Sequence, residues 1–293
     1  MILYKYYSPK LYNFEAVRDR KFYLSTNAQL NDPYDLFSGN ILWETLTTKS
    51  NPMRKRIQET LNFIEQQNYP DKKINTNEQD ISIIEKTFRQ FASCSFTTNP
   101  LDRLMWAHYA DSYSGFCIGI EIGDDMVDPG YSNTKDWHRV MYVDQIPSEL
   151  LKYVGKTKDP HKFNNVHSGL ISMEYCLRQW MEKQDVNILK DYICQLLCIK
   201  AQEWVYEQEV RLVKDVPSDH FVSWDSYAIT LKEIILGSKF HSVKKDVKVE
   251  TIEAEQILKE IKSKSEQQIP IFQLALNNQQ YFTLNKEPYI FRK

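Results

Sequence analysis

Glycine is scarce, with 8 in 293 residues. The chain therefore has little material for glycine-rich phosphate or dinucleotide loops, and neither GxGxxG nor GxxxxGK followed by Ser or Thr occurs. No stretch approaches the roughly 18 consecutive apolar residues of a membrane-spanning helix. The start, Met1-Ile2-Leu3-Tyr4-Lys5-Tyr6-Tyr7, lacks the basic n-region and long apolar run of a signal peptide. Charge of one sign is missing as well: Lys plus Arg is 37, Asp plus Glu is 39, and the net charge is −2. That balance excludes the overall basic footprint of a dedicated nucleic-acid binder. Five cysteines form no CxxC pair, and the six histidines show no HxxxH or HExxH spacing. Neither a disulfide framework nor a metal site is expected, and the cysteines read as buried thiols of a cytoplasmic protein. No GxSxG elbow marks a serine nucleophile.

What is present is ordinary for a globular chain, at 42% hydrophobic and 26% charged residues. Aromatics reach 13%, with 18 tyrosines, which suits a ligand-stacking cleft as well as a core. The hydrophobic periodicity alternates between two values. Period-2 or short apolar runs predict strands at 2–7, 21–25, 92–98, 115–121, 140–143, 207–213, 227–231, 233–236, 269–274 and 280–284. Helical spacing predicts helices at 10–20, 52–66, 81–91, 101–110, 167–182, 186–203 and around 254–261. Asn31-Asp32-Pro33-Tyr34 reads as a turn. The expected fold is one α+β domain over 1–293, a mixed or antiparallel sheet assembly with helical insertions at about 50–91 and 160–203.

Four groups of residues carry the chemistry. In Lys200-x-x-x-Trp204-x-x-Glu207-x-Glu209-x-Arg211, a strand over 207–213 would put Glu207, Glu209 and Arg211 on one face. Two carboxylates and a guanidinium are costly to bury merely for packing. The alternative is a solvated charge face on an edge strand. Asn31-Asp32-Pro33 offers polar groups at a turn. Met105-Trp106-Ala107-His108-Tyr109 offers aromatics from a helix that feeds a strand. Ser93-Cys94-Ser95-Phe96-Thr97-Thr98 is a hydroxyl-rich strand whose alternate positions can bond a ribose.

The motifs LYKYYSP, FYLSTNAQLNDPYD, MWAHYADSYSGFCIGIE, KAQEWVYEQEVRLV and ILGSKF, in this order, resemble the bacterial family named domain of unknown function 2971, over about residues 3–285. Asp35 stands where that family often has glutamate after the NDPF/Y motif. A second resemblance is to the mono-ADP-ribosyltransferase layout: a basic residue on the first strand, a hydroxyl strand, then ExE. It implies that Lys5 meets NAD, Ser95 or Thr97 shapes the pocket, and Glu207 with Glu209 does the chemistry. Lys5 departs from the usual Arg or His, and its point charge lacks the planar fork of arginine. Tyr6, Asn31, Trp106, Tyr109 and Arg211 are expected to complete the NAD site.

The expected function is thus an NAD-consuming ADP-ribosyltransferase or NAD glycohydrolase, as a toxin or phage-defence effector. NAD is its substrate, a protein or nucleic acid its acceptor, and no membrane is involved. Two alternatives stand beside it: a non-catalytic nucleotide-binding or sensor module, and a Mg-dependent phosphodiesterase-type enzyme using Asp32, Glu207 and Glu209.

Overall fold

A computed structural model describes residues 1–26, 62, 87, 91–128, 135–144, 173–183, 185–215, 219–241, 248–264, 268–276 and 283–291. In chain order the strands are β1 (Ile2–Tyr7), β2 (Lys21–Tyr23), β3 (Ser25–Thr26), β4 (Phe91–Thr97), β5 (Phe116–Glu121), β6 (Val127–Asp128), β7 (Trp137–Arg139), β8 (Met141–Val143), β9 (Ile199–Ala201), β10 (Glu209–Asp215), β11 (Phe221–Ser223), β12 (Thr230–Leu236), β13 (Ile271–Leu276) and β14 (Leu284–Pro288). The α-helices are α1 (Leu11–Arg18), α2 (Arg103–Tyr109), α3 (Met173–Lys183), α4 (Val186–Leu196) and α5 (Lys248–Lys264).

Among the described residues, ten strands form one open sheet in the order β14-β13-β12-β5-β1-β4-β10-β7-β6, with β3 also on β4. Only the pairs β12/β13 and β6/β7 are parallel in it. The fold is therefore α+β with a mostly antiparallel sheet, within the mixed or antiparallel class expected. Smaller pairs are β2 with β11 and β8 with β9. Among the described residues, no helix is long and apolar enough to cross a membrane.

Alternation along the strands sends buried side chains to both faces of the sheet. Leu3, Cys94, Phe96, Ile118, Ile120, Val210 and Leu212 pack with Phe14 and Val17 of α1 and Leu258 of α5. On the other side, Tyr6, Cys117, Ile235 and Leu274 pack with Met105 and Trp106 of α2. All five cysteines are buried. Asp102 caps α2 by accepting from the Leu104 and Met105 amides at 2.8 and 3.0 Å, which fixes where that helix starts.

The structure corrects three expectations. The helix predicted over 186–203 ends at Leu196, and residues 199–201 are strand β9. Residues 202–207 are a 3-10 helix, so Glu207 is not on the strand that carries Glu209. The strand predicted from 227 begins at Thr230, after a 3-10 turn over Trp224–Tyr227. The helices expected at 52–66 and 81–91, the turn at 31–34 and the first part of the 160–203 insertion fall outside the described residues, apart from isolated helical positions at 62 and 87 and Phe91, which begins β4.

Candidate functional site

The centre of the sheet is unevenly zipped. β10 pairs with β4 at seven positions, from Glu209↔Thr97 to Asp215↔Phe91. β1 pairs with β4 at Tyr4↔Thr97 alone, although it runs along β5 through six pairs. Further down the same edge of β4, β3 takes over at Ser25↔Ser93 and Thr26↔Ala92. Between these two attachments β1 parts from β4, and a cavity of about 210 Å3 opens there. Tyr4, Lys5 and Tyr6 line it from β1, residues 93–97 from β4, and Glu209 and Arg211 from β10. Tyr23, Ser25, Met105, Tyr109, Lys200 and Glu207 complete the wall.

One wall is a buried charge cluster. Lys200, Glu207, Glu209 and Arg211 are each no more than 6% exposed. The register Tyr4–Thr97–Glu209 and the period of two set Thr97, Ser95, Glu209 and Arg211 on one face. Arg211 holds Glu209 in a fork, Nε to Oε1 at 2.7 Å and Nη2 to Oε2 at 3.1 Å. Its Nη1 donates to the Leu197 carbonyl, at the end of α4. Lys200 Nζ donates to Glu207 Oε2 at 2.6 Å and to Glu209 Oε2 at 3.3 Å. Its ammonium also lies 5.0 Å from the Trp204 ring centre. The Tyr109 hydroxyl donates to Glu207 Oε1 at 2.6 Å. Gln208, between the two glutamates, adopts φ 44°, so the chain kinks there and swings Glu207 back toward Lys200.

Environment pushes the two carboxylates apart in acidity. Burial raises both. At Glu209 the charges of Arg211 and Lys200, with hydrogen bonds from Arg211 and Ser95, overcome that and hold it down to about 2. At Glu207 burial wins: the charge of Glu209 adds to it, and Lys200 and Tyr109 only partly offset it, so its pKa stays above the ordinary range. Such a separated pair, one fixed anion and one proton carrier, is the arrangement from which acid and base roles are assigned in hydrolases.

The opposite wall holds Lys5. Its Nζ donates to the Ser95 carbonyl at 3.3 Å and lies 5.3 and 5.4 Å from the ring centres of Tyr7 and Phe96. The ammonium therefore satisfies a carbonyl on the stretch of β4 that β1 leaves unladdered. Its charge beside Cys94 works against the burial that raises that thiol's pKa. Deep in the wall, the Ser93 hydroxyl is buried with no hydrogen-bond partner among the described residues. It lies on the cavity wall, and buried hydroxyls are nearly always paired.

Of the residues expected at the site, Lys5, Tyr6, Ser95, Thr97, Tyr109, Glu207, Glu209 and Arg211 meet at this cavity. Trp106 does not line it: it is fully buried behind Tyr6, edge-on at 5.1 Å, and donates Nε1–H to the Pro100 carbonyl at 2.8 Å. Asn31 and Asp32 lie outside the described residues. Sequence reasoning missed Tyr4 and Ser25 as lining, and it placed Lys200 on a helix. Ser93, within the hydroxyl-rich strand, shares the period-2 face of Ser95 and Thr97.

Comparison with known proteins matches a family model. The family model described as Protein of unknown function (DUF2971) covers residues 105–212, narrower than the expected 3–285. That span contains Tyr109, Lys200, Glu207, Glu209 and Arg211. No curated protein and no solved structure matches the chain.

Proposed function

We propose that this chain, which carries the DUF2971 family segment over residues 105–212, splits the nicotinamide–ribose bond of NAD and passes the ADP-ribosyl group to an acceptor or to water. The observation that carries the reading is the parted sheet. Neighbouring strands β1, β4 and β10 bring Lys5, a hydroxyl row and Glu209 to one cavity, and the 3-10 turn before β10 adds Glu207, which supports the order of an ADP-ribosyltransferase-like layout.

The chemistry balances on these residues. The bond to nicotinamide breaks with its electron pair leaving on the pyridine nitrogen, which neutralises the pyridinium. The ribose is left with oxocarbenium character, as in glycoside cleavage. Glu209, ionised at every physiological pH, supplies fixed negative potential beside it. A water or acceptor hydroxyl then adds to the anomeric carbon and loses its proton to Glu207. The unpartnered Ser93 hydroxyl is placed to bond a ribose hydroxyl, and Tyr4 and Tyr6 offer rings to the nicotinamide.

The test is incubation of the protein with NAD while following free nicotinamide. Release above background, lost in Glu209→Gln that remains folded, supports the reading; no release with protein and nucleic-acid acceptors supplied removes it. A second reading, a nucleotide-binding module without catalysis, draws on one observation: both oxygens of Glu209 are already engaged by Arg211 and Lys200. Tight NAD binding with no nicotinamide release would favour it. The Mg-dependent reading is disfavoured because the Lys200 ammonium sits between the carboxylates where a divalent ion would stand.

A further inference from the structure

The cavity is smaller than the bound-ligand range of drug-sized molecules, which begins at about 300 Å3. At about 210 Å3 it is too small to enclose a whole dinucleotide. If the cavity takes the nicotinamide half of NAD, the other half must lie outside, against whatever forms the mouth. Tyr23 belongs to both places: it lines the cavity and is 41% exposed. Directly opposite it on the β2/β11 pair stands Phe221, itself 37% exposed. The two rings meet edge to face at 5.5 Å, and His220 stacks on Tyr23 at 5.6 Å and 19°. Lys21 adds a cation 6.0 Å from the centre of the Phe221 ring. Ser25, one residue past Leu24 on the same segment, lines the cavity too.

We infer that the rim formed by Tyr23, His220 and Phe221 is the subsite for the purine base of the dinucleotide. This inference rests on the proposed NAD reading for its substrate but not for its test. A planar base gains from stacking on an aromatic side chain irrespective of sequence or hydrogen-bond pattern. Two ring contacts already brace Tyr23, so little freedom remains to be lost on binding. Lys21 is placed beside this rim to meet a phosphate as a point charge.

Adenosine monophosphate is the probe, with nicotinamide mononucleotide as its counterpart, each titrated calorimetrically into the full chain. The unmutated protein binds adenosine monophosphate. Tyr23→Ala weakens that binding at least about fivefold, the lower end of base–aromatic stacking, and weakens it more than binding of the mononucleotide. Tyr23→Phe restores it, and Phe221→Ala gives a smaller loss. Unfolding temperatures of the three variants identify any loss that comes from misfolding, and Tyr23→Phe keeps the comparison valid if Tyr23→Ala fails to fold. No binding of adenosine monophosphate, or equal affinity in unmutated protein and folded Tyr23→Ala, overturns the inference. Nicotinamide release in that same protein would leave the NAD reading standing. Adenosine monophosphate binding without any release would do the reverse.

Discussion

Arg211 grips Glu209 from two residues along the same strand, through both carboxylate oxygens at 2.7 and 3.1 Å. The pair is buried, and Lys200 shares the second oxygen. Bidentate guanidinium–carboxylate bonds are among the stronger charge-assisted contacts, and their cost appears when one partner is removed.

Glu209→Gln leaves Arg211 and Lys200 facing a neutral amide in a buried setting. We expect a loss of about 3–5 kcal/mol of stability, measured by urea denaturation. The same substitution in an exposed pair costs well under about 1 kcal/mol. A loss that small would mean the cluster is hydrated in solution.

The acid limb of stability follows from the two carboxyls. Glu209 titrates at about 2 in the fold, against roughly 4.3 for an unfolded glutamate. Its contribution is present above the unfolded value and is lost as pH falls through about 2. Glu207 is shifted upward, so its contribution has the opposite sign: complete below the unfolded value and lost as pH rises through the folded one. Urea midpoints between about pH 5 and pH 2 should therefore fall more steeply in the unmutated protein than in Glu209→Gln. Identical slopes would show that Glu209 is not held low.

If Glu207 receives the acceptor's proton, acceptor labelling rises with pH through a limb above the ordinary carboxylate range. Tyr109 donates to Glu207 and lowers its pKa. Tyr109→Phe should therefore move that limb to higher pH, and Glu207→Gln should abolish it. A limb that stays in place in Tyr109→Phe assigns the titration to another group.

Gly115 joins the turn after α2 to β5 where neighbouring backbone comes close. A Cβ there would stand 2.0 Å from the Tyr7 carbonyl oxygen and 3.0 Å from that of Ala110. Both are main-chain atoms and cannot swing aside. Gly115→Ala should cost at least the about 1–3 kcal/mol of an overpacked core, read by thermal unfolding. Gly119→Ala meets only the side chains of Tyr4 and Glu233, at 2.9 Å, and should be milder.

Why some of this could be read from the sequence and some could not has physical causes. β1, α1, β4, α2 and β5 follow unbroken periodicities, and their order announced which residues would meet. Lys200 was misplaced because the apolar spacing of α4 runs on through Leu197, Cys198 and Ile199, where helix and buried strand look alike. Trp137–Arg139 is three residues long, too short for any period to register. The kink at Gln208 needs a left-handed residue, which glutamine does not advertise as glycine would. Glu207 thus reached the site by a route other than the alternation that first singled it out.

The single Tyr4↔Thr97 attachment between β1 and β4 also bears on how the molecule breathes. The sheet consists of two ladders, one built on β5–β1 and one on β4–β10, tacked together at that position, with the short β3 lying farther along the same edge of β4. Amide protons on the parted stretch of β4 have fewer ladder partners than those of β10, and local opening there exposes less apolar surface than global unfolding. Exchange with deuterated solvent should begin at this seam. A ligand bridging the two ladders would slow it there first, which makes the seam a reporter of occupancy even for a ligand that is never turned over.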